Sequence, residues 1–117
     1  MKGSRPLPAM VDELTPEEVA EKMKAGPSKI VLLDVREPWE RGLAVIEPSL
    51  HIPMGQVASR SADLPKDRMI VVYCHGGTRS AMIAGYLENH GFPSVANLSG
   101  GIDAWSIDVD PKVPRYS

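Results

Sequence analysis

Residues 69–80 of this chain read MIVVYCHGGTRS, and this stretch is the most informative part of the 117-residue sequence. It begins with apolar residues that do not alternate with polar ones, which is typical of a strand covered on both faces in a parallel sheet. The apolar run ends at Cys74, a glycine-bearing turn follows, and a helical pattern extends from about Ser80 to His90. We therefore predict a buried strand, a tight turn and a helix N-terminus, with the single cysteine of the chain at the strand end.

Patterns on either side of this stretch predict an α/β fold. Further strands are predicted at residues 30–33, 50–52 and 95–98, and a short helix around residues 102–105. Thr15, Pro16 and Glu18 form a capping box with proline at the first helical position, and this helix ends at Gly26. Because strands alternate with helices, we expect right-handed crossovers and a parallel sheet flanked by helices on both faces.

Length and composition limit the possible functions. We expect a single domain at residues 1–117, with a core at about 12–107 and extended tails at 1–11 and 108–117. The net charge of −2, from 13 Lys and Arg against 15 Asp and Glu, indicates no basic surface for nucleic acid or anionic lipid. The longest apolar run is too short to span a bilayer, and residues 1–8 lack the apolar segment of a signal peptide. We expect a cytoplasmic protein with no nucleic-acid or membrane partner.

The cysteine count narrows the chemistry further. One cysteine excludes an internal disulfide, a CxxC redox pair and a zinc site built on several thiolates. We therefore expect no metal and no cofactor, and any chemistry at Cys74 uses one thiol of this chain.

Chemically useful residues follow two of the predicted strands. Ligands of open parallel sheets bind beyond the carboxyl ends of the strands, where Asp34 and Arg36 follow one strand and the Cys74 loop follows the other. Backbone N–H groups of a turn and of a helix N-terminus can point at one spot, which favours a thiolate at Cys74 and an anionic ligand. Arg79 can fold back over this loop as a fixed positive charge.

The chain resembles the single-domain rhodanese (thiosulfate sulfurtransferase-like) family. Four stretches match the family's signatures in order, namely DVRE at 34–37, residues 46–54, CHGGTRS at 74–80 and NLSGGIDAW at 97–105. The resemblance covers nearly the whole chain, from Leu14 to Tyr116, and implies a rhodanese-like fold. Residues 44–49 depart from the glycine- and histidine-containing turn that the family often carries before its Ile-Pro pair.

The resemblance also implies a mechanism and a set of site residues. Cys74 would take sulfane sulfur from thiosulfate or a persulfide donor, and a thiol or cyanide acceptor would then remove that sulfur. The persulfide would be held by the loop His75, Gly76, Gly77, Thr78, Arg79 and Ser80, with Asp34 and Arg36 in supporting positions. Because there is no second cysteine, the acceptor must come from outside the chain, and a sulfur-relay protein is one candidate.

Several of these residues also have simpler interpretations. A lone cysteine after an apolar strand is by default an inert core residue. The His75 ring either tunes the thiolate or faces solvent, and Arg79 either meets an anionic donor or braces the loop through a carboxylate such as Asp34. Whether Arg36 or Arg41 lines the mouth of the site stays open.

Two other functions compete with small-molecule sulfur transfer. Cysteine phosphatases place five residues between cysteine and arginine, whereas only residues 75–78 separate Cys74 from Arg79, and Tyr73 replaces the histidine that phosphatases commonly carry. A persulfide relay or interaction module would have the same site with little turnover of small molecules. Kinetics with small donors and with protein donors separate the enzyme from the relay.

Overall fold

The computed structural model describes residues 11–117 and contains a five-stranded sheet in the order β1-β5-β4-β2-β3. All the strand pairs are parallel. The strands are β1 Asp12–Leu14, β2 Ile30–Asp34, β3 Leu50–His51, β4 Met69–Tyr73 and β5 Val95–Leu98. The predicted parallel sheet is confirmed, and β1 is an edge strand that the sequence patterns did not predict.

Along the chain, one α-helix follows each of the five strands. They are α1 Pro16–Ala25, α2 Pro38–Arg41, α3 Val57–Arg60, α4 Thr78–Glu88 and α5 Gly101–Asp108. The capping box of α1 is confirmed, because the Thr15 hydroxyl accepts from the Glu18 N–H at 3.1 Å and the Glu18 carboxylate accepts from the Thr15 N–H at 2.8 Å. Helix α4 begins two residues earlier than predicted, because left-handed Gly77 (φ 110°) serves as its N-cap.

The apolar core is divided by the sheet into two clusters. Along β4, Ile70 and Val72 pack on the face that carries Leu87 of α4, whereas Val71 and Tyr73 pack on the face with Trp105 of α5. All four of these strand side chains have no solvent exposure. The structure therefore confirms that both faces of the sheet are covered by helices, as the non-alternating pattern of β4 predicted.

The C-terminal segment differs from the extended surface tail that the sequence predicted. Val113 is buried in the cluster that contains Trp105, and the Ser106 hydroxyl donates to the carbonyl of Val113. Tyr116 is only partly exposed and reaches the loop that contains Cys74. The apolar side chains at 113 and 116 fix this segment on the domain, since their burial offsets the cost of ordering it.

The expectation of an extended segment at residues 1–10 lies outside the described residues. Between Val11 and Ser117, no helix is both long and apolar enough to cross a membrane.

Candidate active site

The Cys74 thiol lies in a ring of hydrogen-bond donors at the carboxyl end of β4. Its Sγ accepts from the N–H of Gly77 at 3.1 Å, from the N–H of Ser80 at 3.4 Å and from the Ser80 hydroxyl at 3.3 Å. Ser80 is fully buried, and Cys74 is 1% exposed. Converging N–H and O–H groups at a helix N-terminus favour a negative charge on the sulfur. Cys74 also belongs to the apolar cluster that contains Val72 and Ile83, so its sulfur lies between an apolar core and these donors.

Glycines and the start of α5 set the shape of the loop. Gly77 has a φ of 110°, which other residues rarely adopt, and this conformation turns its N–H toward the sulfur. From α5, the N–H of Ile102 donates to the Cys74 carbonyl at 2.9 Å and the N–H of Asp103 to the His75 carbonyl at 3.1 Å. A Cβ on Gly101 would lie 2.6 Å from the Cys74 carbonyl oxygen, so only glycine allows this close approach. Backbone N–H groups at the start of α5 therefore hold the Cys74 loop in place.

A buried amide adds a further brace on the loop. The Asn97 side chain, on β5, donates to the Gly77 carbonyl at 3.1 Å and also to both Glu13 carboxylate oxygens at 3.1 Å. Neither Asn97 nor Gly101 was predicted as a site residue, although both lie within the matched stretch 97–105.

Asp34 and Arg36 form a buried ion pair beside the loop. The Arg36 guanidinium donates to both Asp34 carboxylate oxygens, at 2.9 and 2.8 Å, and to the Ala44 carbonyl at 2.7 Å. Both side chains are fully buried. Burial acts to raise the pKa of Asp34, but the hydrogen bonds and charge of Arg36 outweigh it and hold that pKa below its ordinary value.

Arg41 belongs to the same pair of loops. Its guanidinium donates to Asp34 at 3.1 Å, to the Ser49 hydroxyl at 3.2 Å and to the Ser49 carbonyl at 3.0 Å. The guanidinium groups of Arg36 and Arg41 are thus both bound to Asp34. Through Asp34, Ala44 and Ser49 these contacts join the two loops, and the supporting roles of Asp34 and Arg36 stay predictions.

The carboxylate partner of Arg79 is Glu40, whereas Asp34 was the example predicted from the sequence. Two parallel hydrogen bonds of 2.7 and 2.9 Å join the Arg79 guanidinium to the Glu40 carboxylate. Asp34 is already engaged by two other arginines, and Glu40 projects from α2 toward the start of α4. The hydrogen bonds from Arg79 lower the pKa of Glu40 to about 2, against the opposing effect of burial.

Tyr116 links the two ion pairs. Its hydroxyl accepts from Arg36 at 2.9 Å and donates to Glu40 at 2.8 Å. Neither Glu40 nor Tyr116 was predicted as a site residue. The sequence carries no signal for Tyr116, because 76 residues separate it from Glu40, and Glu40 has the pattern of an ordinary solvated helix residue.

The remaining loop residues differ in how they are placed. The His75 ring stacks on the Tyr116 ring, with centroids 4.2 Å apart and planes at 17°, so the ring is partly covered. Its Nε2 is buried and makes no hydrogen bond within the part of the chain that the structure describes. Gly76 and Thr78 are exposed at the rim of the loop. Of the loop residues, Gly77 and Ser80 contact the Cys74 sulfur, and the catalytic roles of residues 74–80 stay predictions.

The tryptophans are placed differently from each other. Trp39 is 63% exposed, and its ring is packed edge-to-face with the Tyr116 ring, with centroids 6.3 Å apart. Trp105, in contrast, is buried in the core.

Over residues 11–117, no three His, Cys, Asp or Glu side chains are grouped so as to hold a metal ion.

Comparisons with known proteins identify the family of this chain. A family model described as the rhodanese-like domain matches residues 15–108. A sulfurtransferase of Allochromatium vinosum is 37% identical over 97 residues, covering 83% of this chain and 90% of the relative. The probable adenylyltransferase/sulfurtransferase MoeZ of Mycobacterium tuberculosis is 35% identical over 105 residues, covering 88% of this chain and 26% of MoeZ.

A solved structure gives the same result for the fold. The crystal structure of a rhodanese-related protein from Thermoplasma volcanium superimposes with a TM-score of 0.78 at 28% identity, covering 90% of this chain and 99% of that one. Because the family model spans most of the chain and the sheet topology agrees with a solved member, this chain belongs to the rhodanese-like domain family.

Proposed function

We propose that this protein is a sulfurtransferase that carries sulfane sulfur on Cys74 as a persulfide. The observation that carries the proposal is the set of three donors, from Gly77 and Ser80, that converge on the Cys74 sulfur. Such donors stabilise a thiolate before the reaction and a terminal persulfide anion after it. The similarity to a sulfurtransferase over 83% of the chain supports sulfur transfer as the reaction class.

The proposed reaction has two displacement steps. In the first, the Cys74 thiolate attacks the outer sulfur of thiosulfate, a new S–S bond forms, and the old S–S bond breaks with its electron pair leaving on sulfite. In the second, a thiolate or cyanide attacks the outer sulfur of the Cys74 persulfide, and the Cys74 thiolate is regenerated. This double displacement predicts ping-pong kinetics.

The acceptor comes from outside the chain. Cys74 is the only cysteine, so a persulfide on it has no internal thiol with which to form a disulfide. We therefore include an external thiol or cyanide as the sulfur acceptor, with no cofactor. The cytoplasmic location expected from the sequence stays a prediction.

The test is the mass of the purified protein after incubation with thiosulfate. We expect a gain of one sulfur atom, its loss on addition of cyanide, and no gain in Cys74→Ser. The same variant should lack thiosulfate:cyanide sulfur transfer while keeping the wild-type melting temperature within a few degrees. Full activity in Cys74→Ser would overturn the proposal.

A relay role is the second candidate function. The observation that favours it is the match to part of MoeZ, where the similar region covers 26% of a longer protein. In a relay, Cys74 would receive sulfur from a protein persulfide and pass it to a protein acceptor. Sulfur loading that is much faster from a protein persulfide than from thiosulfate favours the relay, and the opposite order favours the small-molecule enzyme.

A further inference from the structure

The positive charge of the Cys74 loop is neutralised by a buried carboxylate. Arg79 lies in the first turn of α4, immediately before Ser80, which contacts the sulfur. Both terminal nitrogens of its guanidinium are bound to Glu40, at 2.7 and 2.9 Å. The Glu40 side chain is 4% exposed and that of Arg79 is 34% exposed, so solvent only partly screens the attraction between the two charges.

Other contacts hold the Glu40 carboxylate in place. One oxygen also accepts from the Glu37 N–H at 3.1 Å, and the other accepts from the Tyr116 hydroxyl at 2.8 Å. Each oxygen is therefore engaged twice, and the carboxylate stays ionised because its pKa is about 2. Arg79 cannot turn toward an anionic donor without breaking both bonds to Glu40.

Arg79 directly precedes Ser80, whose N–H and hydroxyl lie 3.4 and 3.3 Å from the Cys74 sulfur, so its charge lies near the reacting atom. The hydrogen bonds to Glu40 raise the pKa of Arg79 above its ordinary value, and the charge of the Cys74 thiolate adds to this rise. Of the other arginines near the loop, Arg36 and Arg41 share the single carboxylate of Asp34. Asp34 offsets one of these two charges and engages both guanidinium groups, whereas Glu40 offsets the charge of Arg79, the arginine next to Ser80.

We propose that Glu40 is a specificity-determining residue that disfavours dianionic sulfur donors, such as thiosulfate, relative to monoanionic donors. The proposal rests on the Cys74 persulfide chemistry of the proposed function and concerns which donor delivers the sulfur. A dianion next to the Cys74 thiolate needs more compensating positive charge than a monoanion does. The Arg79–Glu40 pair provides little of it, which leaves the N–H groups of the loop, the α4 N-terminus and the one net positive charge of Arg36 and Arg41 around Asp34.

Two donors of matched chemistry isolate the effect of charge. Thiosulfate is a dianion that releases sulfite, and methanethiosulfonate is a monoanion that releases methanesulfinate. In both reactions the Cys74 thiolate bonds to the outer sulfur, and the broken S–S bond leaves its electron pair on the departing group. The ratio of kcat/KM for thiosulfate to kcat/KM for methanethiosulfonate therefore measures how strongly the site disfavours a second negative charge on the donor.

The experiment measures this ratio in the wild type and in Glu40→Gln, which keeps the size and one acceptor oxygen. Loss of the carboxylate charge that offsets Arg79 should raise the ratio by roughly tenfold. The matched control is Glu88→Gln, which makes the same change in net charge at the exposed far end of α4 and should leave the ratio within about twofold. Glu40→Asp, which keeps the charge, should also keep the wild-type ratio.

A second variant makes the opposite change and covers the case in which Glu40→Gln does not fold. Arg79→Gln leaves the Glu40 charge uncompensated, so the ratio should fall by roughly tenfold. Unchanged ratios in the folded variants at positions 40 and 79 would refute the role of Glu40, even with persulfide formation intact. A wild-type protein that gains no sulfur from either donor would instead overturn the proposed function, and this proposal with it.

Discussion

Gly101→Ala tests whether the backbone of α5 holds the Cys74 loop in place. Gly101 has a φ of 63°, and a Cβ there would lie 2.6 Å from the Cys74 carbonyl oxygen and would overlap the His75 carbonyl. A left-handed conformation costs a non-glycine residue about 1–2 kcal/mol. Overpacking against a fixed neighbour adds about 1–3 kcal/mol. The carbonyl groups cannot move away freely, because the N–H groups of Ile102 and Asp103 bind them.

We therefore expect Gly101→Ala to lower the free energy of unfolding by about 2–5 kcal/mol. For a domain of this size, the melting temperature should fall by roughly 10–20 °C. Urea unfolding followed by tryptophan fluorescence measures the change, since Trp105 lies in α5 and is buried. The variant should also take up sulfur from thiosulfate more slowly, because any shift of α5 displaces the carbonyl of Cys74.

The matched control is Gly76→Ala in the same loop, where a Cβ would meet no atom within 4 Å. This substitution should change the unfolding free energy by no more than about 0.5 kcal/mol. If Gly101→Ala were as stable as Gly76→Ala, the close approach of α5 to the loop would not hold in solution, and the reasoning about the loop would be wrong.

Two further predictions concern the sulfur and the ion pairs. Ser80→Ala removes the hydroxyl donor at 3.3 Å from the Cys74 sulfur but keeps the backbone N–H of residue 80. Single-turnover sulfur loading of Cys74 should therefore slow by roughly tenfold. A wild-type loading rate would show that the hydroxyl takes no part in the reaction. Acid should destabilise the fold because the pKa of Glu40 is lowered from 4.5 to about 2, so its contribution is complete above pH 4.5 and is lost as the pH falls toward 2. Urea unfolding at a series of pH values should show a shallower loss in Glu40→Gln than in the wild type, and parallel curves would contradict this assignment.

The sequence alone was sufficient to predict the central unit of the fold, which consists of β4, the turn after Cys74 and α4. Burial of β4 on both faces follows from an apolar run without alternation, and the turn and helix that follow Cys74 were predicted from nearby glycines. The capping box of α1 was equally predictable, because its partners are three residues apart. Such features depend on local contacts and on periodicity, which a single sequence displays directly.

Edge strand β1 could not be predicted in the same way. It has three residues, two of them the charged Asp12 and Glu13, and it forms only because its backbone pairs with β5. A strand that forms only by pairing with a strand distant in sequence shows no apolar periodicity of its own.

The tertiary structure alone decided which charges meet. The sequence offered several carboxylates for Arg79, and the fold selected Glu40, 39 residues away, because Asp34 is occupied by Arg36 and Arg41. It also brought Tyr116 from the C-terminal segment onto His75 and Glu40. The sequence therefore determined the lone thiol, Cys74, and the turn that surrounds it. Folding determined which positive charges remain available to a donor, since that depends on distances between elements far apart in the chain.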